Sequence, residues 1–257
     1  MKYVVFVKQV PDTGEMRVDE NGSLVRSGAS SITDPYSETA LSYVLSIRKD
    51  DDEVIAVTMG PAFADKALRR CIALGADSAV LLSDTSFAGA DTYATARVLS
   101  AYLLRYACDA DLIIFGRQTI DGGTGQVPPE TAQMMGVQQF CYVTGIDFSE
   151  DGILVTQDYG DMERVCKVPK GSVVSIGSVD VIADIPSVND VLRGIKSEIK
   201  VLNRVDLGLG LYSVGLKGSF TEIKSTETVT GTRKNRVVEI RDPSSAAEFI
   251  KGKLELV

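Results

Sequence analysis

The residues best suited to hold a ligand are Gly116, Arg117, Gln118, Thr119, Ile120, Asp121, Gly122, Gly123, Thr124, Gly125, Gln126 and Val127. They follow the apolar run Leu112, Ile113, Ile114, Phe115, which reads as a buried strand, and lead into Pro128, Pro129, Glu130 and Thr131, which read as a helix start. A strand, a glycine-rich turn and a helix start are the parts with which an open α/β sheet holds phosphate. Main-chain N–H groups at a helix start lack intrahelical acceptors, and the helix dipole favours an anion there. Glycines 122, 123 and 125 let the main chain approach a ligand, since no Cβ intervenes. Prolines cost little in a first helical turn, where N–H groups are unsatisfied anyway. The run therefore reads as a cradle for a nucleotide mono- or diphosphate. It is neither a Walker A loop nor Gly-x-Gly-x-x-Gly.

Three other strand ends and helix starts fall on the same expected edge. Val7, Lys8, Gln9, Val10, Pro11 and Asp12 close the first strand. Asp34 precedes Pro35 and Tyr36 as a helix cap, which is compatible with a nucleotide contact. Thr58, Met59, Gly60 and Pro61 end another strand in a turn. A further helix start follows Asp91, with hydroxyls at Thr92 and Thr95 one turn apart. These two face either a ligand or solvent, with Asp91 as a plain cap in the second case.

The chain contains no histidine, so the usual neutral-pH acid–base group and imidazole metal ligand are absent. Hydrolytic and metal catalysis are disfavoured. Cys71, Cys108, Cys141 and Cys166 show no Cys-x-x-Cys spacing and read as free thiols in a reducing cytoplasm. A net charge of −8 argues against nucleic acid as partner. No apolar stretch approaches the ~20 residues of a membrane span.

The elements that must position these residues alternate for two-thirds of the chain. Strands are expected at 3–7, 53–58, 78–82 and 112–115, and helices at 36–48, 62–74 and 92–106. Strand–helix alternation implies a doubly wound, mostly parallel α/β sheet. Segments 153–158 and 163–168 alternate across a turn and predict an antiparallel hairpin, followed by a central strand at 172–176. Residues 1–185 would form the nucleotide-binding α/β domain, with 186–198 beyond its last sheet strand. Residues 186–257 would form an extended C-terminal arm, irregular until a helix at 244–254, that buries little core of its own and wraps a partner subunit. Val188, Val191, Leu192 and Ile195 fall at helical spacing; such a stripe packs on its own protein or docks a partner's groove.

Taken in order, these motifs resemble the β (small) subunit of electron transfer flavoprotein. The likeness rests on Val7 to Thr13, Asp34-Pro35-Tyr36 with Ala40-Leu41, Thr58-Met59-Gly60-Pro61, Leu74-Gly75-Ala76-Asp77, the glycine-rich run, and 186–198. The resemblance implies a heterodimer with an α subunit that carries its own FAD. It also implies an adenine nucleotide in this subunit, AMP in the ordinary type and a second FAD in the electron-bifurcating type. Carried over by position, its site is Phe6, Asp34, Pro35, Tyr36, Met59 and the residues from Gly116 to Val127. Thr92 and Thr95 would help hold FAD, the type that this chain resembles.

The family's departures here are Asp34 for a frequent Asn, Gly123 for a frequent Asp and Pro128 for a common Gly. Further implied partners are an acyl-CoA dehydrogenase or similar flavoenzyme on Val188, Val191 and Leu192, NADH, and ferredoxin or flavodoxin. An adenylate-transferring enzyme is disfavoured, because the first strand lacks a Ser-Gly-Gly-x-Asp-Ser loop. A self-dimerising nucleotide-binding regulator would be a shorter chain.

Overall fold

The computed structural model describes residues 1–12, 17–18, 24–25, 31–150, 152–181, 183–222 and 242–254. In chain order the first strands are β1 (Lys2–Phe6), β2 (Gln9–Pro11), β3 (Arg17–Val18), β4 (Leu24–Val25) and β5 (Ser31–Thr33). There follow α1 (Pro35–Ile47), β6 (Glu53–Met59), α2 (Asp65–Leu74), β7 (Ser78–Leu82), α3 (Thr92–Tyr106), β8 (Leu112–Gly116) and α4 (Val127–Met135). Then come β9 (Gln139–Ser149), β10 (Gly152–Asp158), β11 (Glu163–Val168), β12 (Ser172–Ile176), α5 (Val188–Lys196), β13 (Lys200–Leu202), α6 (Gly215–Gly218) and α7 (Pro243–Leu254).

One sheet runs in the order β11-β10-β9-β12-β8-β1-β6-β7-β13. Every neighbouring pair from β9 to β13 is parallel, and only β10 runs antiparallel to its neighbours β9 and β11. The expected doubly wound α/β sheet with its antiparallel hairpin is therefore present. Strand alternation sends Tyr3 and Val5 of β1 into one core with α1 and α2, and Val4 and Phe6 into a second with α3 and α4. Burial on both faces explains why these strands are continuously apolar. From β1 the chain builds outward through β6 and β7, then returns to the other side of β1 with β8. The strand order thus reverses between β1 and β8, where open α/β sheets bind ligands at the strands' carboxyl ends.

Three sequence expectations need correction. Residues 186–198 do not lie beyond the last sheet strand, because β13 pairs in parallel with β7 through Leu202 and Leu82. The stretch that follows buries Leu202, Leu207 and Val214 in the α3 core, so it contributes more core than its polarity suggested. The antiparallel region also begins earlier than expected, with the eleven-residue β9. Tyr142 interrupts that strand with φ +57° at a shift of register, a bulge that hides its alternation.

By contact, Met1–Ser225 is one compact unit and Thr226–Val257 another. In the second, α7 starts after Asp242, which accepts hydrogen bonds from the Ser244 and Ser245 amides at 3.0 and 2.9 Å. The middle of the expected arm, residues 223–241, lies outside the described residues. No helix among the described residues is long and apolar enough to cross a membrane.

Candidate functional site

The glycine-rich loop leaves β8 at the strand-order reversal. Gly116 is forced by close approach: a Cβ there would lie 2.7 Å from the Tyr36 carbonyl carbon and 2.9 Å from the Ser37 amide. The end of β8 and the start of α1 therefore touch through main chain alone. Asp34, fully buried, holds the two together. Its Oδ2 accepts the Ser37 amide and hydroxyl, each at 3.0 Å, as the cap of α1, while Oδ1 accepts the Ile120 amide at 2.8 Å. The cap reading of this residue is correct, and the structure adds a second task, the anchoring of the loop.

Arg117 lays its guanidinium over the Tyr36 ring at 5.3 Å, and Gln118 donates to the Tyr36 hydroxyl at 3.4 Å. Arg117 Nε is buried without a hydrogen-bond partner. Lys8, at the end of the first strand, grips Asp121 at 2.7 Å. Burial works to raise the Asp121 carboxyl, but Lys8 and the Thr119 hydroxyl outweigh it and hold the group below the ordinary range. Lys8 was read only as part of a strand end; what makes it a loop anchor is the adjacency of β1 and β8.

Beyond Asp121 the loop turns outward. Gly123 donates to the Thr119 carbonyl at 2.8 Å, and Gly123 and Gly125 take φ near +63° and +64°. The amides of Thr124, Gly125 and Val127 meet no acceptor among the described residues. They are free donors beside the first turn of α4, as an anion requires. At its far end the loop reaches α3, where the Thr92 hydroxyl lies 3.4 Å from Gln126 Oε1 and 3.1 Å from Glu130 Oε1. Asp91 caps α3 by accepting from Ala94 at 2.9 Å, and Thr95 is half-buried rather than exposed. Phe6 and Phe115 stack at 4.7 Å between centroids, and Met59 packs against the same core.

The structure thus joins Phe6, Asp34, Pro35, Tyr36, Thr92 and the residues from Gly116 to Val127 around one sheet edge. Met59 ends the strand next to β1 on that edge. Val188, Val191 and Leu192 are elsewhere, on α5, which packs against α2. All three are exposed, as is Ile195, and Ile185, outside the predicted set, is 96% exposed just before the helix. Among the described residues no group of three or more His, Cys, Asp or Glu is placed to hold a metal ion.

The sheet and its topology define a doubly wound α/β protein, and comparison with known proteins gives its family. Residues 21–189 match the electron transfer flavoprotein domain. The electron transfer flavoprotein subunit beta of Thermoanaerobacterium thermosaccharolyticum is 36% identical over 240 residues, 92% of each chain. The caffeyl-CoA reductase-Etf complex subunit CarD of Acetobacterium woodii is 34% identical over 249 residues, 92% of this chain and 95% of that one. The acryloyl-CoA reductase electron transfer subunit gamma of Anaerotignum propionicum is 33% identical over 259 residues, 94% and 97% of the two chains. The chain belongs to the electron transfer flavoprotein family, as a β subunit.

Proposed function

We propose that this β subunit holds FAD in the cradle between Asp34 and Thr92 and works, paired with an α subunit, as an electron-bifurcating carrier. The observation that carries the reading is the length of the site. Its loop is fastened to α1 at one end, through Asp34, and meets α3 at the other, through Gln126 and Thr92. Free amides lie between, so groups are available on both sides of a diphosphate. A mononucleotide would use only one side. The buried, unpartnered Arg117 Nε is a further donor that a bound group would satisfy.

The chain's own work would be binding and orientation. Thr124, Gly125 and Val127 would donate to phosphate oxygens. Asp34 and Lys8 would keep the loop in register, and Phe6, Phe115 and Met59 would keep water from the floor of the site. FAD bound there would accept hydride from NADH and pass electrons to a low-potential acceptor such as ferredoxin or flavodoxin and to the α-subunit FAD. Without histidine or a metal cluster among the described residues, the protein's influence on the flavin would come from hydrogen bonds and charge.

Two relatives carry the names of CoA-thioester reductase complexes. We assign the exposed Ile185, Val188, Val191 and Leu192 to docking such a flavoenzyme, and the remainder of the arm over 186–257, after residue 198, to the α subunit. The test is co-expression with the large subunit and a count of released nucleotide. Two FAD per heterodimer supports the reading; one FAD and one AMP would make this subunit a structural scaffold and end the bifurcation proposal.

A further inference from the structure

Glu130 stands in the first turn of α4, where a carboxylate ordinarily meets main-chain N–H groups. Here the three main-chain positions nearest the carboxylate in sequence offer it no donor. Pro128 and Pro129 have none, and the Glu130 amide is committed to the Gln126 carbonyl at 3.1 Å. One carboxyl oxygen, Oε1, accepts from the Thr92 hydroxyl at 3.1 Å. The other, Oε2, is buried without any hydrogen-bond partner. Burial is the largest influence on this group and pushes its carboxyl above the ordinary range; Thr92 opposes that, and the like charge of Asp91 adds to it. A buried carboxyl oxygen left without a donor is costly and rare in folded proteins.

The place of this oxygen indicates what would satisfy it. The loop begins at α1, where Asp34 takes the Ile120 amide, and ends at α3, where Gln126 approaches Thr92. The free amides of Thr124, Gly125 and Val127 lie between. Glu130 is therefore on the side of the phosphate donors away from Asp34 and Tyr36. AMP offers hydrogen-bond donors only on its adenine and ribose, on one side of its phosphate. FAD continues beyond its diphosphate into a polyol chain and a ring that bears an N–H.

We propose that the free Glu130 oxygen accepts a hydrogen bond from a hydroxyl or N–H of the flavin half of FAD, so that Glu130 and Thr92 together select FAD over AMP. The inference rests on the FAD reading above and deepens it. Glu130 acts as a positioning and specificity residue, and no bond is made or broken at it.

The heterodimer, wild type and with Glu130→Leu or Glu130→Gln, is equilibrated against mixtures of FAD and AMP, and bound nucleotides are counted by chromatography. The α-subunit flavin adds one FAD to every sample. Glu130→Leu is expected to lower the preference for FAD over AMP roughly tenfold, as for one lost charged hydrogen bond. AMP binding and the melting temperature should stay as in the wild type. Glu130→Gln keeps an acceptor and should recover part of the preference. An unchanged preference in Glu130→Leu, or an equal loss of both nucleotides, overturns the role of Glu130 while leaving the FAD reading standing. A wild type that takes AMP and no second FAD overturns both.

Discussion

The loop from Gly116 to Val127 leaves main-chain amides free and buries the side chain that fastens it, whereas α5 is fastened by side chains at both ends and leaves apolar side chains free. At the start of α5, Ser187 Oγ and the Asp190 carboxylate cap each other's amides at 3.3 and 3.2 Å. At its end, Arg69 from α2 donates to the carbonyls of Gly194, Ile195 and Ser197, and Arg193 donates to the Ile72 carbonyl. With both ends of the helix fastened in this way, the apolar surface that α5 turns outward is Val188, Val191, Leu192 and Ile195. A small anion needs the first arrangement, because N–H groups converge on a point. A protein surface needs the second, where area counts more than direction.

The comparison can be broken by variants that should damage one region and spare the other. Gly116→Ala is expected to have the largest effect, because the new Cβ meets backbone atoms of Tyr36 and Ser37 that cannot swing aside. Overpacking of this kind costs about 1–3 kcal/mol, and the heterodimer should lose its nucleotide as well as melting temperature. Normal melting and full nucleotide would show that the contact between β8 and α1 yields easily. Asp34→Ala removes a helix cap and the anchor of Ile120 at once. A loss of about 2 kcal/mol in chemical denaturation is expected from those two contributions, together with weaker nucleotide retention. Arg69→Ala should cost about 1 kcal/mol or less, keep its nucleotide, and slow electron exchange with the docked flavoenzyme. Loss of nucleotide in that variant would mean that the two regions are not independent.

Lys8→Ala should give the smallest change, about 0.2–1 kcal/mol, since both partners are partly exposed. Its signature is in the pH dependence. The folded Asp121 carboxyl lies below its unfolded value, so its stabilisation is complete above ~3.9 and is lost as pH falls through the lower folded value. Melting curves should therefore converge for wild type and Lys8→Ala on the acid side. Equal separation at every pH would argue against Lys8 as the cause.

The sequence disclosed those parts whose signal is local. Continuous apolar runs marked β1, β6, β7, β8 and β12, and the glycine run marked the loop, because burial on both faces and close approach leave direct traces in residue type. The rest depended on packing. β13 is three residues long and joins the sheet only because β7 offers an open edge, so no period could reveal it. Alternation in β9 was obscured where Tyr142 turns the strand. That Asp34 reaches Ile120, or that Thr92 meets Glu130 from 38 residues away, follows from how α1, α3 and α4 pack on the sheet. Helical spacing in α5 was legible, but the arginines that fasten it were not.

The cap of α3 has a consequence for the order in which the molecule is completed. Asp91 accepts from the amides of Phe220 and Thr221, at sequence separations of 129 and 130 residues. During synthesis at ~5–20 residues per second, roughly 7–26 s pass between the appearance of Asp91 and that of the residues that fasten it. A chain still on the ribosome can form β1, β6, β7 and β8 and carry the whole glycine loop while the Thr92 end of the cradle lacks its clasp. Firm retention of a nucleotide would then be a late event in the life of each new chain, after most of the sheet has closed.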